Sequence, residues 1–243
     1  MSCSRIFVLF VYHLTLAFLL QKAFGAFNCF SSENFAANSP YESNVNGLIS
    51  TLSTQTPQTG FGQASVGQSP NQVYGLALCA AYMSSSSCQT CVEQAGNEIR
   101  NNCPNNKGAI AWTNQNGDCL LKYSNVEFFG QVDNQNKVIY LNPNTAGNPE
   151  AFSRQTNGLL LQLSDQGSVR ANRSAAGELQ VYGLQKAYGL TQCTRDLSSS
   201  ACKQCLEALI GETLPTCCNG KEGARVFSGS CTLQYETFPI IPA

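Results

Sequence analysis

One cysteine pattern, C-x8-C-x2-C, occurs twice in this chain and constrains its fold more than any other feature. The first copy is Cys79, Cys88 and Cys91, and the second is Cys193, Cys202 and Cys205. The flanking residues repeat too. Tyr74-Gly75-Leu76 precedes one set and Tyr188-Gly189-Leu190 the other, while Gly108-Ala109 and Gly223-Ala224 follow them. Further on, Leu120-Leu121-Lys122-Tyr123 answers Thr232-Leu233-Gln234-Tyr235, and upstream Asn46-Gly47-Leu48 answers Asn157-Gly158-Leu159. Self-similarity at a fixed spacing marks a duplicated unit. The chain therefore divides into two homologous domains of roughly 105 to 115 residues, each near the size at which a domain supports its own core.

The apolar spacing predicts the same elements in both halves. Val45, Leu48, Ile49 and Leu52 fall on one face of a first helix over Tyr41 to Leu52, and Phe152 to Leu163 repeats it. A second helix carries Cys88, Cys91, Val92, Ala95 and Ile99 as a stripe after a serine run suited to N-caps; Cys202, Cys205, Leu206 and Leu209 repeat that stripe after Ser198-Ser199-Ser200. Strands are expected at Gln72 to Ala81, Gly108 to Thr113 and Asp118 to Asn125, and at Gln180 to Gln192, Gly223 to Phe227 and Cys231 to Thr237. The last two of each set flank short polar turns, as hairpins do. The expected class is α+β: two homologous domains, each an antiparallel sheet of about five strands with two helices, stapled by disulfides. Residues 26–130 form the first domain, 131–147 a linker with the first strand of the second, and 148–243 the rest of the second.

Residue scarcity excludes much chemistry. The only histidine, His13, lies in an N-terminal segment that reads as a secretory signal at 1–25: Arg5, an apolar stretch from Ile6 to Leu20, then Ala23-Phe24-Gly25 with small residues at the recognition positions. Cleavage after Gly25 leaves no histidine, hence no Ser-His-Asp triad, Cys-His pair or His-ligated metal. The remainder is mildly acidic, which gives no reason to expect nucleic acid or an anionic membrane surface. No later apolar run approaches the roughly 20 residues of a membrane span, and Phe238 to Ala243 is too short for a lipid-anchor signal. A secreted, extracellular protein is expected.

Cys3 leaves with the signal, and an even number of cysteines remains in a chain bound for an oxidising compartment. Disulfides are favoured over a zinc site or a redox pair, and no metal or cofactor is expected. Six cysteines in one domain allow 15 pairings, so spacing alone leaves the connectivity open.

The repeated cysteine pattern, the preceding Tyr-Gly-Leu, the strand Gly223-Ala224-Arg225-Val226 and the closing Gln234-Tyr235-Glu236 resemble the plant cysteine-rich repeat secretory protein family. Its module is the stress-antifungal domain, homologous to ginkbilobin, and the same tandem ectodomain occurs in cysteine-rich receptor-like kinases and plasmodesmata-located proteins. The resemblance implies the bridges Cys29 to Cys103, Cys79 to Cys88, Cys91 to Cys119, Cys193 to Cys202 and Cys205 to Cys231. The second domain departs from the pattern: Leu141 stands where the first has Cys29, and Cys217 and Cys218 are adjacent. That pair is left unassigned between a vicinal disulfide, free thiols and a bridge to another chain.

The ginkbilobin-like members include a mannose-binding antifungal lectin, and its Asn, Arg and Glu constellation maps onto Asn142, Arg225 and Glu236. The first-domain counterparts are Phe30, Ile110 and Ser124, so no such site is expected there. An amide, a guanidinium and a carboxylate together match hydroxyls that both donate and accept. Arg225 and Glu236 share a sheet face only if the paired residue numbers of their hairpin sum to an odd value such as 459; the plainer alternative is an ordinary exposed cross-strand ion pair, with Asn142 a loop residue before Pro143. Asn172-Arg173-Ser174 is a sequon, giving an expected glycan at Asn172. Trp112 is expected in the core or between domains. Asp118, Glu127 and Asp133 cluster in sequence, but glycosidase chemistry needs two acids at a fixed separation, and no enzyme is expected. Two functions follow: a secreted defence lectin for mannose-type glycans through the second domain, or an extracellular protein-interaction module whose domains pack edge to edge and bind no sugar.

Overall fold

The computed structural model describes residues 25–182 and 185–241, so the expected signal segment lies outside the described residues except for Gly25. The first domain runs β1 (Ala26–Cys29), α1 (Pro40–Thr59), β2 (Phe61–Val66), β3 (Val73–Cys79), α2 (Ser85–Asn102), β4 (Gly108–Trp112) and β5 (Cys119–Ser124). The second repeats this as β6 (Lys137–Leu141), α3 (Pro149–Val169), β7 (Ser174–Tyr182), β8 (Gln185–Cys193), α4 (Ser199–Ala208), β9 (Ala224–Ser228) and β10 (Cys231–Glu236). Each sheet has five strands, ordered β1-β4-β5-β3-β2 and β6-β9-β10-β8-β7, with every pairing antiparallel.

The helices start where side chains can satisfy their first N–H groups. Ser39, Ser84, Asn148 and Ser198 accept from the backbone N–H of Glu42, Ser87, Ala151 and Ala201. The stripe of Tyr41, Val45, Leu48, Ile49 and Leu52 is buried against Val92, Ala95 and Ile99 of α2 and against Ala109, Ala111 and Leu121 of the sheet. In the second domain Phe152 and Leu160 do the same against Leu206, Ala224, Val226 and Leu233. After α4 the backbone widens into a π-helical turn, Leu209–Thr213, and closes with a short helix, α5 (Leu214–Cys217).

An antiparallel sheet with helices on one face ordinarily leaves its other face to water. Here β4 and β5 are buried along their whole length, so something must cover the second face. That cover is the other domain. Leu76, Leu78, Ile110, Trp112 and Leu120 pack with Phe227, Val138 and Tyr140 across the seam, and Phe128 and Phe129 of the connecting segment fill its side. Trp112 thus lies between the domains. Gln192, almost fully buried, bridges them with two hydrogen bonds: its Nε2 donates to Cys79 O at 3.0 Å and its Oε1 accepts from Ala81 N at 3.1 Å. The domains meet through their sheet faces, which corrects the edge-to-edge packing expected of an interaction module.

Two other expectations change. The single strand expected over Gln180 to Gln192 is the end of β7 together with β8, and neither β1 nor β2 is among the expected strands. Phe61–Val66 and the start of β7 are rich in Gly, Ala, Ser and Gln, so they lack the β-branched alternation that marks a strand. They are held as edge strands by their neighbours.

The twelve cysteines of the described residues form six bridges. Five are Cys29–Cys103, Cys79–Cys88, Cys91–Cys119, Cys193–Cys202 and Cys205–Cys231; the sixth joins Cys217 to Cys218. Leu141 pairs with Ala224 as Cys29 pairs with Ala109. Cys218 ends α5 as Cys103 ends α2. Without a cysteine at 141, Cys218 turns to its chain neighbour.

Candidate functional site

The β9–β10 hairpin fixes which side chains meet. Arg225 pairs directly with Gln234, so Arg225, Gln234 and Glu236 lie on one face of the sheet, the face toward the first domain. Glu236 is the diagonal neighbour, and its Oε1 lies 3.2 Å from Arg225 Nη2. Asn142, one residue beyond β6, is placed by its own N–H, which donates to Gly223 O at 2.9 Å. Its Nδ2 donates to Glu236 Oε2 at 3.3 Å. The carboxylate folds back over Gly223, where any Cβ would collide with it. Only glycine leaves that space, which accounts for the first residue of the Gly-Ala-Arg-Val strand.

The three residues therefore come together, in an arrangement unlike an exposed ion pair. The Glu236 side chain is 6% exposed and that of Arg225 18%. Both carboxylate oxygens are engaged, one by the guanidinium and one by the amide. Arg225 faces outward from this pair and crosses the seam: Nη1 donates to Gln115 O at 3.2 Å and to Asn116 Oδ1 at 2.7 Å. Gln234 Nε2 reaches Asn116 O at 3.2 Å. Glu236 and Asn142 thus orient Arg225, and Arg225 is the member that meets other groups.

The corresponding positions of the first domain are apolar or spent. Phe30 N–H donates to Gly108 O at 2.9 Å, as Asn142 does to Gly223, but its ring lies in the seam. Ile110 is fully buried there, and Ser124 Oγ accepts from Val126 N. Lys122, the counterpart of Gln234, is buried and pairs with Asp133 Oδ2 at 2.7 Å, with its ammonium 4.4 Å from the Phe128 ring centroid. Burial alone would raise the Asp133 carboxyl, but the hydrogen bond and charge of Lys122, helped by Asn136, hold it below its ordinary value.

Beside Arg225 the two domains leave a cleft of about 560 Å³. Tyr82, Asn116 and Asp118 line it from the first domain; Arg225, Gln234 and Phe238 line it from the second. The Tyr82 hydroxyl donates to Asp118 Oδ1 at 3.2 Å, and Asn114 Nδ2 donates to Asp118 Oδ2 at 2.6 Å. Burial first, and the Asp118 charge second, push the Tyr82 phenol well above its usual value, so it remains a donor. Phe238 is 47% exposed. Apart from Arg225, sequence reasoning assigned none of these residues to a site. Asp118 was weighed only as an acid without a partner, and no local signal ties residue 116 to residue 225.

Asn172 is exposed just before β7, and its Oδ1 accepts from Ser174 N at 3.3 Å. The Ser174 hydroxyl is buried and donates to Thr191 O. Among the described residues no cluster of three or more His, Cys, Asp or Glu could hold a metal, and no helix is long and apolar enough to cross a membrane.

The salt stress response/antifungal family matches this chain twice, over residues 28–126 and 141–238. The chain is 46% identical over 215 residues to an antimicrobial ginkbilobin-2-like protein of Castanea crenata, covering 88% of each. It is 45% identical over 232 residues to cysteine-rich repeat secretory protein 38 of Arabidopsis thaliana, covering 94% of this chain and 90% of that one. Its fold is similar to the tandem DUF26 ectodomain of the Arabidopsis thaliana cysteine-rich receptor-like protein PDLP8, with a TM-score of 0.76 at 25% identity over 90% of this chain and 100% of the other.

Proposed function

Because the chain belongs to the salt stress response/antifungal family of cysteine-rich repeat secretory proteins, we propose that it is a secreted, non-enzymatic defence protein that binds mannose-type glycans at the cleft edge of its second domain. The observation that supports this reading is the fixed presentation of Arg225. A buried carboxylate, itself held by the Asn142 amide, fixes the guanidinium in one orientation, and a planar donor held in place loses little freedom on meeting a sugar hydroxyl. Glu236 and Asn142 act as positioning residues in this scheme, with Arg225 as the contact. In the same reading the signal segment is removed after Gly25 and Asn172 carries a glycan.

A second reading draws on one specific observation, the hydrogen bonds of Arg225 to Gln115 and Asn116. If those bonds serve only to lock the domains, the protein is an extracellular interaction module without a sugar site. Isothermal titration with mannose and mannan separates the two. Binding that disappears in Arg225→Ala, with thermal unfolding still cooperative, supports the glycan reading. No heat from the wild-type protein contradicts it and leaves the docking role.

A further inference from the structure

We propose that the interdomain cleft is a composite site for a neutral oligosaccharide, with Tyr82 and Asp118 of the first domain acting opposite Arg225 and Gln234 of the second; this rests on the glycan reading above. The first domain has neither the amide, the guanidinium nor the carboxylate at the positions matching Asn142, Arg225 and Glu236, where Phe30, Ile110 and Ser124 stand. It nevertheless faces the cleft with different residues, from the loop between β3 and α2 and from the β4–β5 hairpin.

The chemistry of the walls selects the ligand class. Asp118 only accepts hydrogen bonds and Arg225 only donates them. A ligand lying between them must do both, as neighbouring hydroxyls do. An anionic ligand would meet the Asp118 carboxylate, and a cationic one the Arg225 guanidinium. Each Asp118 oxygen already receives one hydrogen bond, from Tyr82 or Asn114, which fixes the carboxylate while leaving lone pairs free. Tyr82 and Phe238 give the cleft an aromatic surface on each wall, suited to the apolar face of a sugar ring. Its volume of about 560 Å³ falls within the range of built small-molecule sites and holds more than one ring. A short chain of hexoses fits these walls better than a single hexose.

Titrating mannotriose and mannose into the wild-type protein and into Tyr82→Ala, Tyr82→Phe, Asp118→Asn and Arg225→Ala tests this, with thermal unfolding as the fold control. Mannotriose should bind the wild-type protein more tightly than mannose does. Tyr82→Ala should weaken mannotriose about tenfold, Tyr82→Phe should weaken it less, and Asp118→Asn should also weaken it. If Arg225→Ala abolishes binding while Tyr82→Ala and Asp118→Asn bind as the wild type does, the site is confined to the second domain: the composite site is overturned and the glycan reading stands. If the wild-type protein binds neither sugar, both fall together. Should Tyr82→Ala not fold, unchanged binding by Asp118→Asn overturns the composite site by itself.

Discussion

Trp112 and Phe227 occupy the same position in their two sheets, and each reaches into the opposite domain. Trp112 Nε1 donates to Ser228 O at 3.2 Å, at the turn between β9 and β10. The Phe227 ring lies against Gly117, in the turn between β4 and β5. The seam is therefore a reciprocal contact in which each domain's aromatic meets the other's hairpin turn.

Truncating either ring opens a cavity between domains. Trp112→Ala and Phe227→Ala should each cost about 3 to 5 kcal/mol, read as a lower denaturant midpoint. The two losses should sum to more than the double variant shows, since both rings pack in one cluster.

Gly117 has φ +63, and a Cβ there would collide with the Phe227 ring. Gly117→Ala should destabilise the protein by about 1 to 3 kcal/mol through backbone strain and the clash. Ala in the nearby exposed position, Gln115→Ala, where only the backbone carbonyl meets Arg225, should affect unfolding less, and the comparison of the two melts checks it.

Lys122 and Asp133 are a buried pair, with side chains 5% and 14% exposed. Lys122→Met should cost about 3 to 5 kcal/mol by stranding the carboxylate, and adding Asp133→Asn should restore part of that. Folding favours the ionised form of Asp133, whose carboxyl is held below its ordinary value. Its contribution is complete above the ordinary carboxylate pKa of about 3.9 and is lost as pH falls through the lower folded value. Urea midpoints measured from pH 6 down to pH 2 should fall less in the double variant than in the wild type.

The bridges differ in the loop they close. In the chain-entropy picture Cys29–Cys103, at a separation of 74, stabilises by about 4.5 kcal/mol and Cys79–Cys88, at 9, by about 2.7 kcal/mol. Cys217–Cys218 joins neighbours and closes no chain loop. Replacing both with Ser should change the melting temperature far less than replacing Cys29 and Cys103.

The repeat, the helices and their buried stripes could be read in the sequence because cysteine spacing and apolar periodicity are local signals. The edge strands β2 and β7 could not, because Phe61–Val66 and the start of β7 become strands through pairing rather than composition. Whether Arg225 and Glu236 share one face was left open, because it turns on a pairing parity that only the register of Arg225 with Gln234 fixes. That Glu236 would be buried did not, since the covering domain is distant in sequence. Asn116, Asp118 and Tyr82 were invisible for the same reason: their link to Arg225 spans more than 100 residues and exists only once the sheet faces meet.

In the proposed function, Glu236 and Asn142 present Arg225 to a glycan at the cleft. Arg225 Nε is buried and has no hydrogen-bond partner, so its proton is sheltered from exchange and gives a usable ¹⁵N reporter of the guanidinium. Following that resonance while mannotriose is added reports contact at the guanidinium itself. A saturable shift of the Arg225 Nε–H signal, absent in Glu236→Gln, is predicted; an unmoved signal under conditions where the sugar binds would contradict it.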